Sequence, residues 1–183
     1  MNMNQFTQKS LAAIQGAQDI AVEYGNQQIE QPHLLLALVG DAEGFIPQLL
    51  TAMEFTVPSF EAAVRAEVDK LPKVSGSGRE AGKVYVSQDV DKALQAAERE
   101  AQAMRDEYIS VEHILLGLLA CPNAALKELF RTYNLDKEKV MRALAQVRGS
   151  QRVTSDNPEE TYNALKKYGS DLVERAKSEA KRS

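Results

Sequence analysis

The chain has 183 residues, 44% of them hydrophobic and 26% charged, enough to bury one sizeable core and leave a polar remainder. Its net charge is −4, with lysines and arginines interspersed among acids, so no basic field awaits a nucleic-acid backbone. A single cysteine, Cys121, excludes an internal disulfide, no apolar run reaches membrane-spanning length, and no charged-then-apolar leader opens the sequence, which therefore reads as cytoplasmic.

The first predicted helix starts at Thr7, a hydroxyl able to accept from a first-turn amide, and continues through Leu11, Ile14, Ala17, Ile20, Ala21 and Tyr24 at helical spacing until Gly25 stops it. Its alanines let another helix approach closely. A second helix carries Pro32 in its first turn, where the missing N–H costs little, and Leu34, Leu35, Leu36 and Leu38 leave it no wide polar face. It should be nearly surrounded by protein. Third and fourth helices are predicted over 45–53 and 57–71, followed by a stretch from Leu71 to Gly82 with the composition of a flexible linker.

The pattern then begins again. Ile29-Glu30-Gln31-Pro32-His33-Leu34-Leu35-Leu36-Ala37-Leu38 returns as Ile109-Ser110-Val111-Glu112-His113-Ile114-Leu115-Leu116-Gly117-Leu118, at an offset of 113 − 33 = 80 residues and without a gap. Ser87 aligns with Thr7 as a helix cap, and Val90, Leu94, Ala97, Ala101 and Met104 follow at helical spacing. Ser110 is placed to cap a central helix from Val111, and further helices are predicted over 124–133 and 136–147, the last capped by Asp136. Four helices per copy give an all-α, eight-helix domain of two repeats related by a pseudo-twofold axis, since an open solenoid would need more units. The first repeat spans 1–72, a linker 73–85 and the second repeat 86–149. Residues 150–158 are polar and without periodicity, so they are expected to leave the domain. Helical potential resumes at Glu159, and the charged segment from Asp171 is expected to be disordered or to belong to a following domain.

Catalytic and metal chemistry finds little support. His33 and His113 occupy equivalent first-turn positions without a cysteine or histidine at ligand spacing, which favours a structural, capping role. Cys121 has no neighbouring histidine and reads as a small, half-buried thiol. Gly76-Ser77-Gly78 lacks the Lys-Ser/Thr needed to cradle phosphate, and no nucleotide-binding loop occurs elsewhere. The acidic cluster of Asp106, Glu107 and Glu112 admits two readings: helix-start chemistry, or, with the hydroxyls of Thr7 and Ser87, the rim of a peptide-receiving groove between the halves.

The paired motifs, from Phe6-Thr7 through His33-Leu34-Leu35-Leu36 and from Ile109-Ser110-Val111-Glu112-His113 onward, resemble the double Clp-type amino-terminal domain of ring-forming AAA+ unfoldases over 6–149. Asn157-Pro158-Glu159-Glu160-Thr161-Tyr162 through Leu172 is similar to the segment leading into the first ATPase domain of ClpB-type disaggregases, as Leu71-Pro72-Lys73-Val74-Ser75-Gly76 is to their inter-repeat linker. The resemblance implies the non-catalytic amino-terminal part of a longer, hexameric protein, with ATP and Mg bound elsewhere in it and none held here. It also implies a monomeric isolated domain that engages unfolded or aggregated polypeptide, not nucleic acid or membrane. Its substrate-contact positions fall on Thr7, Ser87, Asp106 and Glu112, with an apolar groove near Leu94; Tyr108 and Ile109 join them from their place beside the acidic cluster. A ClpA- or ClpC-type adaptor dock is the alternative.

Overall fold

In the computed structural model, residues 3–74, 84–149 and 151–159 are described. Helix α1 (Gln8–Glu23) starts where the Ser10 amide donates to the Thr7 hydroxyl (3.1 Å), and α5 (Gln88–Ala103) starts the same way, the Val90 amide donating to Ser87 (3.2 Å). Each ends before a left-handed residue, Gly25 (φ 73°) and Arg105 (φ 59°). The short helices α3 (Phe45–Ala52) and α7 (Ala124–Thr132) likewise end before Glu54 (φ 65°) and Asn134 (φ 54°). Both pairs keep the offset of 80, so the duplication extends to the backbone turns.

The central helices α2 (Gln31–Val39) and α6 (Val111–Ala120) are buried along nearly their whole length, as their unbroken apolar sequence requires. Around them, α4 (Val57–Asp69) buries Phe60, Val64 and Val68, and α8 (Lys137–Arg148) buries Val140, Ala143 and Leu144. One hydrophobic core runs through both repeats. All eight predicted helices are present, and the fold is all-α.

Periodicity does not reveal how the repeats are joined. Strand β1 (Gln28–Ile29) pairs in parallel with β2 (Tyr85–Val86), and Phe6 bridges in parallel to Ile109. Because 86 − 6 and 109 − 29 both equal 80, the segment before the first helix of each repeat pairs with the segment before the central helix of the other. Elements this short carry no period-two signal. Gln31, fully buried at the start of α2, adds a polar clamp: its Nε2 donates to the carbonyls of Asp89 (2.9 Å) and Cys121 (2.8 Å), and its Oε1 accepts from the Asn123 amide (2.7 Å). Phe60 and Tyr133 meet edge-on with centroids 5.1 Å apart, closing the α4–α7 side.

Residues 151–159 do not leave the domain as their composition suggests. They lie against it, with Val153 fully buried and Pro158 and Glu159 also buried. Polar side chains misled here because the segment is held mainly through its backbone. Most of the expected inter-repeat linker (75–83) and the predicted helix and charged tail (160–183) fall outside the described residues.

Candidate functional site

Each central helix begins with the same device. The Glu30 amide donates to His33 Nδ1 (2.8 Å) and the Ser110 amide to His113 Nδ1 (2.8 Å), so the imidazoles cap the helix starts and carry their proton on Nε2. That proton goes to Asn26 Oδ1 (2.8 Å) in the first repeat and to Asp106 Oδ2 (2.7 Å) in the second. Burial lowers His33 to about 4.

The repeats diverge in charge at this point. Where the first has Asn26, Pro32 and Val68, the second has Asp106, Glu112 and Arg148, again 80 residues on. Arg148 Nη2 donates to Asp106 Oδ1 at 2.7 Å, and Arg148 Nη1 lies 3.5 Å from Glu112 Oε2. Burial on its own would raise the Asp106 carboxyl, but hydrogen bonds from His113, Arg148 and the Val153 amide (2.9 Å) outweigh it and hold the group well below the usual carboxylate range. Glu112 is fully buried, and its Oε1 has no hydrogen-bond partner.

The segment 151–159 crosses this cluster. The Arg148 guanidinium donates to the Gln151 carbonyl (3.1 Å), the Glu107 amide to the Val153 carbonyl (2.8 Å), and the Gln8 amide to the Asp156 carbonyl (2.7 Å). At its end, Glu159 Oε1 accepts from the Thr7 hydroxyl (2.9 Å) and the Val111 amide (3.3 Å), at the first turns of α1 and α6 together. Desolvation and the neighbouring Glu112 push the Glu159 carboxyl up to about 7, although helix amides and dipoles favour its charge.

Glu159 and Val111 also form part of the wall of a groove of about 450 Å³ over α1 and α2. Its floor is apolar and small, with Ala12, Ala13, Gly16, Ala37 and Leu38, while Glu23, Asp41, Glu43 and Glu61 against Lys9 and Arg65 leave the rim acidic.

Thr7, Ile109 and Glu112 gather where α1 meets α6, and Asp106 joins them through Arg148. Contrary to the expected exposed rim, Asp106, Glu112 and Thr7 are buried, because α8 supplies Arg148 and 151–159 lies over them. Ser87 stands at the twofold-related place, its amide donating to the Ile29 carbonyl (3.0 Å). Leu94 is buried on α5 and Tyr108 is half-buried before α6. Sequence reasoning missed Arg148 and Glu159. A signal existed for the first: Val140, Leu144 and Arg148 share one helical stripe, and a charge on an apolar stripe calls for a buried partner. Among the described residues no three metal-ligating side chains could hold an ion, and no single helix is long and apolar enough to cross a membrane.

Over 178 residues the chain is 44% identical to the chaperone protein ClpB of Nitratidesulfovibrio vulgaris, covering 97% of this chain and 21% of that protein. It thus spans about a fifth of the length of the ClpB relatives it matches. The Hsp104 N-terminal domain from Candida albicans shares the fold, with a TM-score of 0.72 at 23% identity over 85% of this chain and 99% of that one. So does a ClpV N-domain solved in complex with a VipB peptide, with a TM-score of 0.61 at 16% identity over 85% and 91% of the two chains. Residues 5–133 match the Clp repeat (R) N-terminal domain, and the chain belongs to that family.

Proposed function

We propose that this chain is the polypeptide-collecting domain of a cytoplasmic ClpB-type disaggregase, binding exposed segments of unfolded or aggregated protein and passing them to an ATP-driven hexameric ring. The groove over α1 and α2 carries the reading: a small-residue apolar floor accepts varied side chains, and an acidic rim attracts the basic residues that flank them. Rim charges in solvent add only about 0.2–1 kcal/mol each, so binding is weak and release easy, as a relay demands. Thr7, Ile109 and Glu112 lie buried behind the Glu159 end of the groove, and Asp106 holds Arg148 beside Glu112, so they bear on binding through the segment 151–159 that covers them. Tyr108, half-buried before α6, Ser87 at the twofold-related cap and Leu94 in the core do not line the groove. The similarity to ClpB chaperones supports the reading, as does the peptide-bound ClpV N-domain.

An NMR titration with a permanently unfolded polypeptide tests it. Amide shifts should concentrate at Ala12, Gly16, Ala37 and Leu38. Ala12 is exposed on α1, so Ala12→Trp should fill the groove and abolish those shifts while leaving the melting temperature nearly unchanged. Shifts confined to a different face, or undiminished in Ala12→Trp, refute the assignment; a single folded partner captured at one-to-one stoichiometry would instead favour the adaptor dock.

A further inference from the structure

We propose that residues 151–159 are a ligand the chain supplies to itself, a strap that reaches the polypeptide-binding groove at Glu159 and covers Thr7, Ile109 and Glu112 beside it until an incoming segment displaces it. The inference rests on the reading of that surface given above.

The strap is held as an unfolded polypeptide would be. Three of its carbonyls, those of Gln151, Val153 and Asp156, accept from Arg148 and from the Glu107 and Gln8 amides, contacts indifferent to strap sequence. Three of its side chains are buried: Val153, fully enclosed, Pro158, and Glu159, whose carboxylate meets the Thr7 hydroxyl and the Val111 amide. The site therefore takes a segment with an apolar residue and, 159 − 153 = 6 positions later, a side-chain oxygen able to accept from the Thr7 hydroxyl and the Val111 amide.

The strap also fits imperfectly, as a displaceable ligand must. Glu159 is a third carboxyl brought to a cluster where Asp106 and Glu112 already share the single guanidinium of Arg148. Glu159 Oε2 and Glu112 Oε1 are buried without hydrogen-bond partners, so docking leaves polar groups unsatisfied that water would satisfy on release. An incoming segment with an amide or hydroxyl in place of the Glu159 carboxylate avoids that opposition, and competes on favourable terms.

A reversible lock tests this in the full chain. The Gln8 amide and Asp156 carbonyl are hydrogen-bonded at 2.7 Å, so Gln8→Cys with Asp156→Cys, in a Cys121→Ser background, allows the strap to be fixed by oxidation and freed by reduction. The oxidised protein should bind a permanently unfolded polypeptide roughly tenfold or more weakly than the reduced protein, because the competent state is no longer populated. Val153→Ser, which weakens the strap at its apolar anchor, should bind several-fold more tightly than the parent. If the reduced protein and Val153→Ser both bind and oxidation changes nothing, the strap proposal is overturned and the groove reading stands. If neither binds, the groove reading fails and the strap proposal with it.

Discussion

Arg148 decides whether the second repeat can keep its acids inside. Its side chain is 3% exposed and serves both Asp106 and Glu112, so Arg148→Met leaves two buried carboxylates without a cation and should cost about 3–5 kcal/mol in chemical denaturation. Adding Glu112→Leu should recover part of that loss, since Asp106 keeps its donors from His113 and Val153. An equal loss in both proteins would show that Glu112 is not paired with Arg148. Single residues were unevenly legible in the sequence. The caps at Thr7 and Ser87 follow from a hydroxyl ahead of a helical stripe, but the burial of Glu112 does not, because a first-turn glutamate is ordinary surface chemistry until a cation from another helix is seen beside it.

Helices were the most readable elements, and the crossing of α5 and α6 rests on one side chain's absence. A Cβ on Gly117 of α6 would run into the backbone of Ala93 and Ala97 on α5, so Gly117→Ala must force the helices apart and should cost about 3 kcal/mol or more, with a clear fall in melting temperature. Gly16→Ala is the control: its Cβ would meet Ala37 Cβ at 3.5 Å, ordinary contact, and helix propensity favours the change. If both variants melt alike, the close crossing is wrong. Length explains what was legible. Helices of 8 to 16 residues display their 3.6-residue period, whereas β1 and β2 have two residues each and the strap buries only Val153 and Pro158 as apolar side chains. Neither can announce itself through a pattern.

The molecule as a whole should respond to pH in two opposed ways. His33 is held neutral down to about 4 by burial, below its ordinary 6.5, so its contribution is intact above pH 6.5 and is lost as pH falls towards 4. That difference amounts to about 3 kcal/mol, read as a drop in urea midpoint that a His33→Gln variant would lack. The strap should behave in the other sense. The Thr7 cap of α1 and Glu112 of α6, itself beside Arg148 of α8, act on Glu159, and Lys9 of α1 shares the groove with it; its docked carboxyl is pushed up to about 7. Docking favours its protonated form, so hold on the strap is strongest below about 4.5 and loosens as pH rises to 7. Hydrogen exchange at Val153 should therefore slow, relative to the core, as the solution is made mildly acidic. The strap also sets reach. While it is docked, the described chain is held as far as Glu159, beside the start of α1; with the strap released, the last held residue would be Gly149 at the end of α8. Nine residues, at roughly 3.3–3.6 Å each when extended, add up to roughly 30 Å of tether. Under the strap proposal, release would lengthen the tether of anything joined through this segment and lower the effective concentration at which the two are held together.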